Sequence, residues 1–362
     1  MRSTLVDPNT ACRVWSRSIR RGEHKVRVGL FLSLEHALDD DLRQRFADLT
    51  EFVRVASQAG FDFLHAGQHV LVPQFQYLQS LPVLARIAAD AGNIEIGTDI
   101  LLLALQHPVH VAEMGATLDV ICGGRFSLGV GLGYRDVEFE SLGVKQGTRL
   151  RRFLESMQVV KKLWTEEVVS FKGEFFELKD VSLAARPLQR PRPPIVLAAS
   201  GDKMVKRAAR IADALSLTGH DTVDTLIRQD GLYRAALEDA GKPYPPEKYR
   251  LSKELFVGRT REQAERDCFP HIEAKYRAYA AWGQDDVLPS GKSFSQEVKA
   301  LAENRFIVGS PEQCVEQILA HREAIEFQDF SFRLHYPGMP HRQSMQALEL
   351  FAENVLPTLQ SG

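Results

Sequence analysis

The chain has 362 residues, of which 44% are hydrophobic and 25% are charged, and its formal net charge is −2. This ordinary globular balance, without a long basic or acidic block, predicts neither a nucleic-acid partner nor a membrane-surface protein. The four cysteines (Cys12, Cys122, Cys268 and Cys314) form no Cys-x-x-Cys pair, which argues against a disulfide framework or a metal centre. We therefore expect a cytoplasmic protein with reduced thiols and no bound metal.

The first 25 residues lack the apolar core of a secretory signal. No window of the chain approaches the ~20 apolar residues of a membrane-spanning helix. We interpret 1–25 as an N-terminal extension and 26–362 as a single domain.

From residue 26 onward, short apolar runs alternate with segments of helical periodicity. Strands are predicted at 26–32, 61–65, 94–103, 125–130, 194–198, 214–217, 249–258 and 329–334. Helices are predicted at 41–59, 79–91, 108–121, 149–164, 202–211, 222–240, 260–281, 311–324 and 341–355. Such alternation indicates a parallel sheet with right-handed crossover connections.

The predicted fold is α/β, a (β/α)8 TIM barrel with insertions after strands 4 and 7. These insertions are 165–193, which is rich in turn residues, and 282–306, a polar segment that we expect to form a mobile lid. An open doubly wound sheet is the alternative, because the sequence does not show whether the sheet closes.

Four histidines (His69, His107, His220 and His335) follow predicted strands or lie near strand ends, where barrel enzymes carry their chemistry. Histidine suits proton transfer near neutral pH. Each histidine alone is more often a satisfied polar residue, but four at one rim favour a catalytic role for at least one of them.

Small residues lie at the end of the fourth strand and after the fourth and fifth strands. Gly129, Gly131 and Gly133 would leave room for a flat ring against the backbone. Ser200 and Gly201 open a helix whose free N–H groups could bind a phosphate, with Arg149 as a further donor. The alternative for Ser200 is that it merely caps this helix.

The polar residues Thr98 and Asp99 follow Gly97 inside the apolar third strand. This pattern is typical of a bulge that turns the backbone toward a ligand, although an ordinary kink at a barrel corner fits it equally well.

The chain resembles the bacterial luciferase-like, flavin-dependent monooxygenase family from about residue 26 to 357. The motifs that carry the resemblance include Gly60-Phe61-Asp62, His107-Pro108-Val109, Gly123-Gly124-Arg125-Phe126, Gly131-x-Gly133-Tyr134-x-x-x-Glu138-Phe139 and Val308-Gly309-Ser310-Pro311-Glu312. The resemblance implies a homodimeric (β/α)8 barrel that uses reduced FMN or, in one branch of the family, a reduced deazaflavin.

The resemblance also implies roles for individual residues. It puts His69 near the reactive flavin edge, although Gln68 stands where the family has a glutamate. It puts a cis peptide bond that supports the ring within residues 98–100, at Thr98 and Asp99. The remaining implied cofactor contacts are the pyrimidine site (Gly131, Gly133 and Tyr134) and the phosphate site (Arg149, Ser200 and Gly201).

Two residues differ from those of the family at the same positions, and each difference removes something that the resemblance would otherwise imply. Leu132 occupies the position of a family arginine, which removes one phosphate contact. Gly131 occupies the position of a luciferase cysteine, so the resemblance does not imply light emission.

We expect a monooxygenase that receives reduced FMN from a separate flavin reductase and oxygenates a small, mostly apolar molecule with O2 through a C4a-peroxyflavin. Phe31, Phe75, His220 and His335 are the candidate substrate contacts. Deazaflavin-dependent hydride transfer on the same fold is the main alternative. A flavin-storage protein is a second alternative. A third, a sugar-phosphate lyase or isomerase, would need a rim lysine or paired carboxylates, which no predicted strand end provides.

Overall fold

Eight parallel strands form a closed barrel in the computed structural model, which describes residues 26–284, 294 and 297–361. In chain order the strands are β1 (Arg27–Leu32), β2 (Phe63–Ala66), β3 (Glu95–Thr98), β4 (Phe126–Gly131), β5 (Ile195–Ala198), β6 (Ala214–Leu217), β7 (Arg250–Val257) and β8 (Asp329–Arg333). Each strand pairs with its neighbours in the sequence, and β8 pairs with β1. The predicted TIM barrel is therefore confirmed, and the open-sheet alternative is wrong.

Helices connect the strands. They are α1 (Leu42–Ala59), α2 (Ser80–Ile87), α3 (Pro108–Ile121), α4 (Asp136–Ser141), α5 (Arg149–Thr165), α6 (Asp202–Ile211), α7 (Val223–Asp239), α8 (Arg261–Ala281), α9 (Val298–Ala302), α10 (Pro311–Ala324), α11 (His341–Asn354) and α12 (Leu356–Gln360). No helix in the described ranges is both long and apolar enough to cross a lipid bilayer.

Several small elements are additions to the predicted pattern. The insertion 165–193 contains an antiparallel hairpin, Val169–Lys172 with Glu177–Val181. Glu35–His36 pairs with Gln76–Tyr77, and Ile307–Gly309 pairs with β7. The predicted extension 1–25 lies outside the described residues, as do 285–293 and 295–296 of the predicted lid.

The predicted third strand, 94–103, is interrupted at its polar residues. β3 ends at Thr98, the Asp99–Ile100 peptide bond is cis, and pairing with β4 resumes at Leu101–Leu102. Thr98 Oγ1 donates a hydrogen bond of 2.7 Å to the Gly129 carbonyl of β4. The cis peptide bond thus lies within the residues where the resemblance puts it.

A buried arginine links opposite walls of the barrel. Arg250 of β7 has no solvent exposure, and its guanidinium lies 3.3 Å from Asp99 Oδ2 and 3.4 Å from Asp329 Oδ2. The Ser216 and Ser252 hydroxyls donate to the same Asp99 oxygen at 3.3 and 3.4 Å. These contacts fix the chain that follows β3 against β6, β7 and β8.

Replacing Arg250 should destabilise the barrel in a pH-dependent way. Burial already raises the pKa of Asp329. Without Arg250 this pKa rises further, so the folded protein holds a proton that the unfolded chain releases. We expect Arg250→Leu to lower the free energy of unfolding by about 3 kcal/mol near neutral pH and by less near pH 5, measured by urea denaturation.

The control is Arg54→Leu, which removes an exposed ion pair with Asp90 (2.7 Å) and should cost less than about 1 kcal/mol. A loss for Arg250→Leu as small as this, or one independent of pH, would contradict the role assigned to Arg250.

Candidate active site

A cavity of about 400 Å³ lies at the carboxyl ends of the strands. All eight strands or the loops that follow them contribute to its wall. This is the end of a TIM barrel at which active sites are found. Ten of the thirteen site residues predicted from the sequence line it: Phe31, His69, Asp99, Gly131, Gly133, Tyr134, Arg149, Ser200, Gly201 and His220.

The other three predicted site residues lie outside this lining. Thr98 is fully buried and bonds to β4. Phe75 is buried and packs edge-on against Trp282, with the ring centroids 6.1 Å apart. His335 lines a separate cavity of about 20 Å³ beside His36, with the ring centroids 6.3 Å apart.

His107 also lies away from the cavity, although it was expected at the same rim. It is exposed at the start of α3, where its Nδ1 accepts a hydrogen bond from the Val109 N–H at 3.4 Å. Of the four histidines, His69 and His220 therefore face the central cavity.

His69 is oriented by a buried carboxylate. Glu138 Oε1 lies 3.0 Å from His69 Nδ1 and accepts hydrogen bonds from the Val70 N–H (3.0 Å) and from Arg135 Nη1 (3.1 Å). Because a carboxylate only accepts, Nδ1 carries the ring hydrogen. Nε2, which no described residue hydrogen-bonds, is then the atom available to a ligand.

Aromatic rings surround His69. The ring centroids of Tyr77, Tyr134 and Trp282 lie 5.9, 5.9 and 5.4 Å from that of His69. The Arg135 guanidinium lies 4.8 Å from the Trp282 ring centroid and so holds this indole in place. The histidine is consequently only partly accessible to solvent.

Gln68 has a structural role that its position in the sequence does not reveal. Its Oε1 accepts a hydrogen bond of 3.1 Å from the Leu102 N–H, directly after the β3 interruption. Its Nε2 donates to Gln79 Oε1 at 3.3 Å, and Gln79 in turn donates to the His69 carbonyl at 2.9 Å. Gln68 therefore fixes the backbone around His69, while Glu138 fixes the imidazole.

His220 is held in its neutral form. Its Nδ1 lies 2.7 Å from the Tyr276 hydroxyl, and burial lowers its pKa to about 3, with the Lys275 charge acting in the same direction. It can accept or donate a hydrogen bond in the cavity, but it carries no charge near neutral pH.

A helix N-terminus and an arginine line the cavity together. α6 begins after Gly201, and no side chain caps its first N–H groups. Ser200 therefore does not cap this helix, which removes the alternative interpretation of that residue. Arg149, the first residue of α5, lines the same cavity and has no hydrogen bond or ion pair to any described residue.

Two of the three glycines lie so close to other atoms of the chain that a Cβ atom would collide with them. A Cβ on Gly129 would lie 1.9 Å from the Thr98 carbonyl oxygen, and a Cβ on Gly131 would lie 2.1 Å from Ile100 Cδ1. Gly129 makes room for the interruption after β3 rather than for a ligand, which corrects the sequence-based interpretation of this residue. Gly131 meets only the end of the Ile100 side chain and lines the cavity. Gly133 has a φ of +77°, a conformation that glycine adopts without strain.

The structure adds charged lining residues that the sequence analysis missed. Lys253 and Glu254 of β7 and Arg333 of β8 all line the cavity. Arg333 Nη1 donates to Glu35 at 2.7 Å, and Lys275 pairs with Glu254. The available signal was the charged pair Lys253-Glu254 inside a predicted strand. The cavity wall therefore contains charged groups beside its apolar ones.

The Gly129 contact can be tested by substitution. We expect Gly129→Ala to cost about 3 kcal/mol of unfolding free energy, because the new methyl meets backbone that is fixed by two strands. Gly231→Ala is the control: Gly231 lies exposed in α7 with open space around it, and alanine should stabilise the helix by about 0.5–1 kcal/mol. Equal effects of the two substitutions in urea denaturation would contradict this account.

Comparisons with known proteins agree with this fold. The sequence profile of the luciferase-like monooxygenases matches residues 26–326. The oxygenase component of the flavin-dependent trigonelline monooxygenase of Acinetobacter baylyi is 22% identical, over 92% of this chain and 95% of its own length. The F420-dependent glucose-6-phosphate dehydrogenase of Nakamurella multipartita is 27% identical, over 87% of this chain and 93% of its own length.

A solved structure of a monooxygenase has the same fold as this chain. The crystal structure of the monooxygenase RslO1 from Streptomyces bottropensis matches with a TM-score of 0.82 at 25% identity, over 92% of this chain and 99% of its own. Because the family profile also covers most of the chain, this protein belongs to the luciferase-like monooxygenase family.

Proposed function

We propose that the protein is a monooxygenase that uses reduced FMN and O2 to oxygenate a small organic molecule. The observation that carries the proposal is the pairing, in one cavity, of an anion-binding end at Arg149 and Gly201 with a carboxylate-oriented histidine at His69. The trigonelline monooxygenase and RslO1 are oxygenating relatives and support the same reaction class. A separate reductase supplying the flavin, and a homodimer, belong to the proposal.

The lining residues fit a phosphorylated flavin. Arg149 and the uncapped N-terminus of α6 would hold the phosphate. The Tyr134 hydroxyl is buried and has no hydrogen-bond partner among the described residues, so it is free to bond a polar edge of the ring. Asp99, Gly131 and Gly133 supply backbone along the path between these points. Reduced FMN, when bound, would supply the electrons that activate O2.

The chain itself supplies proton handling and protection from water. Nε2 of His69 would take up or deliver a proton in the cavity, and the Glu138 carboxylate would stabilise the charged imidazolium. Tyr77, Tyr134 and Trp282 would keep bulk water away from this position. Product formation therefore depends on His69, whereas flavin binding does not.

The phosphate site can be tested with two flavins. We expect Arg149→Met to weaken FMN binding about 10- to 100-fold and to leave riboflavin binding unchanged, because riboflavin lacks the phosphate. Fluorescence quenching of each flavin measures both affinities. The control is Arg151→Met, which removes an exposed partner of Glu174 (2.9 Å) and should change neither. An equal loss for both flavins would contradict the assignment.

His69 can be tested by the yield of product per reduced FMN. We expect His69→Ala to bind FMN as the wild type does and to form product about 100-fold less efficiently, with hydrogen peroxide released instead. Added imidazole should restore part of the yield. His107→Ala, which removes an exposed histidine, is the matched control. An unchanged yield in His69→Ala would show that this histidine has no catalytic role.

Hydride transfer with a reduced deazaflavin is the second candidate function, favoured by the likeness to the F420-dependent dehydrogenase. The anion-binding end at Arg149 does not discriminate between the two, since F420 is also an anion. Parallel titrations of the protein with FMN and with F420, in oxidised and reduced forms, separate the candidates. Binding of F420 alone would replace the monooxygenase proposal.

A further inference from the structure

Glu254 brings a carboxylate to the cavity wall opposite the proposed flavin contacts. It lies on β7, whose alternate side chains point into the barrel, since Arg250 and Ser252 both contact Asp99 across the interior. Glu254 continues this alternation and lines the cavity. Its register partner on β8, Arg333, lines the cavity as well. Because the proposed flavin contacts lie on the side of β3, β4 and β5, the wall at Glu254 is left for the substrate.

One oxygen of this carboxylate has no hydrogen-bond partner. Oε1 of Glu254 accepts hydrogen bonds from the Lys275 ammonium and from the Tyr276 hydroxyl (3.3 Å), which both belong to α8. Oε2 is buried and is hydrogen-bonded to no described residue. Burying a charged oxygen without a donor costs free energy, so a donor on a molecule in the cavity would stabilise this group.

Glu254 remains ionised near neutral pH. Burial acts to raise its pKa, but the charges of Lys275 and Arg333 outweigh burial and lower the pKa to about 2. A carboxylate with so low a pKa accepts a hydrogen bond without taking up the proton. Glu254 is therefore suited to recognising a donor and unsuited to acting as a general base.

The charges around this carboxylate cancel. Lys275 pairs with Glu254. On the next strand Arg333 pairs with Glu35 at 2.7 Å, so this buried cluster holds two cations and two carboxylates. His220 faces the same cavity and carries no charge near neutral pH. A charged ligand would leave the cluster with a net charge, whereas a neutral hydroxyl or N–H group would satisfy the free oxygen without one.

Aromatic rings lead from this cluster to His69. Phe31 and Tyr279 line the cavity, and the Arg333 guanidinium lies 4.4 Å from the Phe31 ring centroid. The ring centroid of Trp282 lies 4.9 Å from that of Tyr279 and 5.4 Å from that of His69. This row of rings offers a surface on which an apolar, flat body would pack.

We propose that Glu254 accepts a hydrogen bond from the substrate, which is a neutral, mostly apolar molecule that carries a hydroxyl or N–H group. This deepens the proposed function and rests on it only in that the molecule bound here is the one to be oxygenated. The donor group lies at Glu254, and the apolar body lies along the row of rings toward His69. Glu254 thereby determines substrate specificity, and Lys275 positions its carboxylate.

Matched probes test the requirement for a neutral donor. Binding of phenol, anisole and benzylamine to the FMN-loaded wild-type protein is measured near neutral pH by ligand-observed NMR. Phenol offers a neutral donor, anisole lacks the donor, and benzylamine offers donors on a positive charge. We expect phenol to bind about tenfold tighter than anisole, and also tighter than benzylamine. Equal affinities for phenol and anisole, a preference for benzylamine, or no phenol binding at millimolar concentration would overturn the proposal.

A double variant tests the acceptor. Glu254→Leu combined with Lys275→Met removes the buried ion pair without leaving either charge alone. It should reduce the preference for phenol over anisole to less than about twofold. The control is Arg261→Met combined with Glu265→Leu, which removes an ion pair (2.8 Å) from the exposed part of the same helix and should leave the preference unchanged. An undiminished preference in the Glu254 and Lys275 variant would overturn the proposal.

Gln284 is the competing acceptor. It lines the cavity, and its Oε1 is buried without a hydrogen-bond partner among the described residues. We expect Gln284→Met, which has a similar shape and lacks the amide, to keep the preference for phenol. Loss of the preference in Gln284→Met but not in the double variant would assign the contact to Gln284 instead.

A measurement on the wild-type protein covers the case in which the double variant does not fold. Infrared difference spectra with isotope-labelled glutamate side chains should show a shift of one ionised carboxylate band with phenol and none with anisole. No shift with bound phenol would overturn the proposal. If FMN does not bind, the proposed function fails, but the comparison of phenol with anisole in flavin-free protein, with and without Glu254, still decides the role of this residue.

Discussion

The ion pairs of Arg250 inside the barrel are the constraint on which the site depends. A guanidinium that is fully buried must be matched by carboxylates, and Asp99, directly after β3, and Asp329, on β8, provide them. Asp99 is also the residue at which β3 stops and the chain turns through its cis peptide bond. The same contact that neutralises the barrel interior therefore sets the position of the backbone on which the proposed flavin contacts depend.

Two sets of residues line different sides of the cavity. On the β3–β5 side, Gly129 and Gly131 allow the interrupted strand to pack closely, and Arg149 with the start of α6 provides a positive end. On the β7–β8 side, Arg333 is paired with Glu35 and Glu254 is paired with Lys275. The proposed flavin contacts and the charged residues of β7 and β8 thus come from different strands, and His69 lies among aromatic rings.

Much of the fold could be predicted from the sequence, because eight apolar runs separated by amphipathic helices admit few arrangements. The two-residue strands Glu35–His36 and Gln76–Tyr77 could not, since their pairing is non-local and leaves no periodicity. In the site, strand-end positions located His69 and His220 correctly at the cavity. They misplaced His335, because alternation no longer fixes side-chain direction after β8 ends at Arg333. Glu254 and Arg333 could not be placed at the cavity in this way, because they lie within β7 and at the last residue of β8 rather than in the loops that follow.

The most direct test of the central proposal is to mix the protein with anaerobically reduced FMN and record absorbance spectra after adding O2. We expect reduced FMN to bind. We also expect an absorbing species distinct from both reduced and oxidised FMN to persist, because Tyr77, Tyr134 and Trp282 keep water from the site. Immediate return to oxidised FMN with no binding, alongside tight binding of reduced F420 in the same experiment, would contradict it.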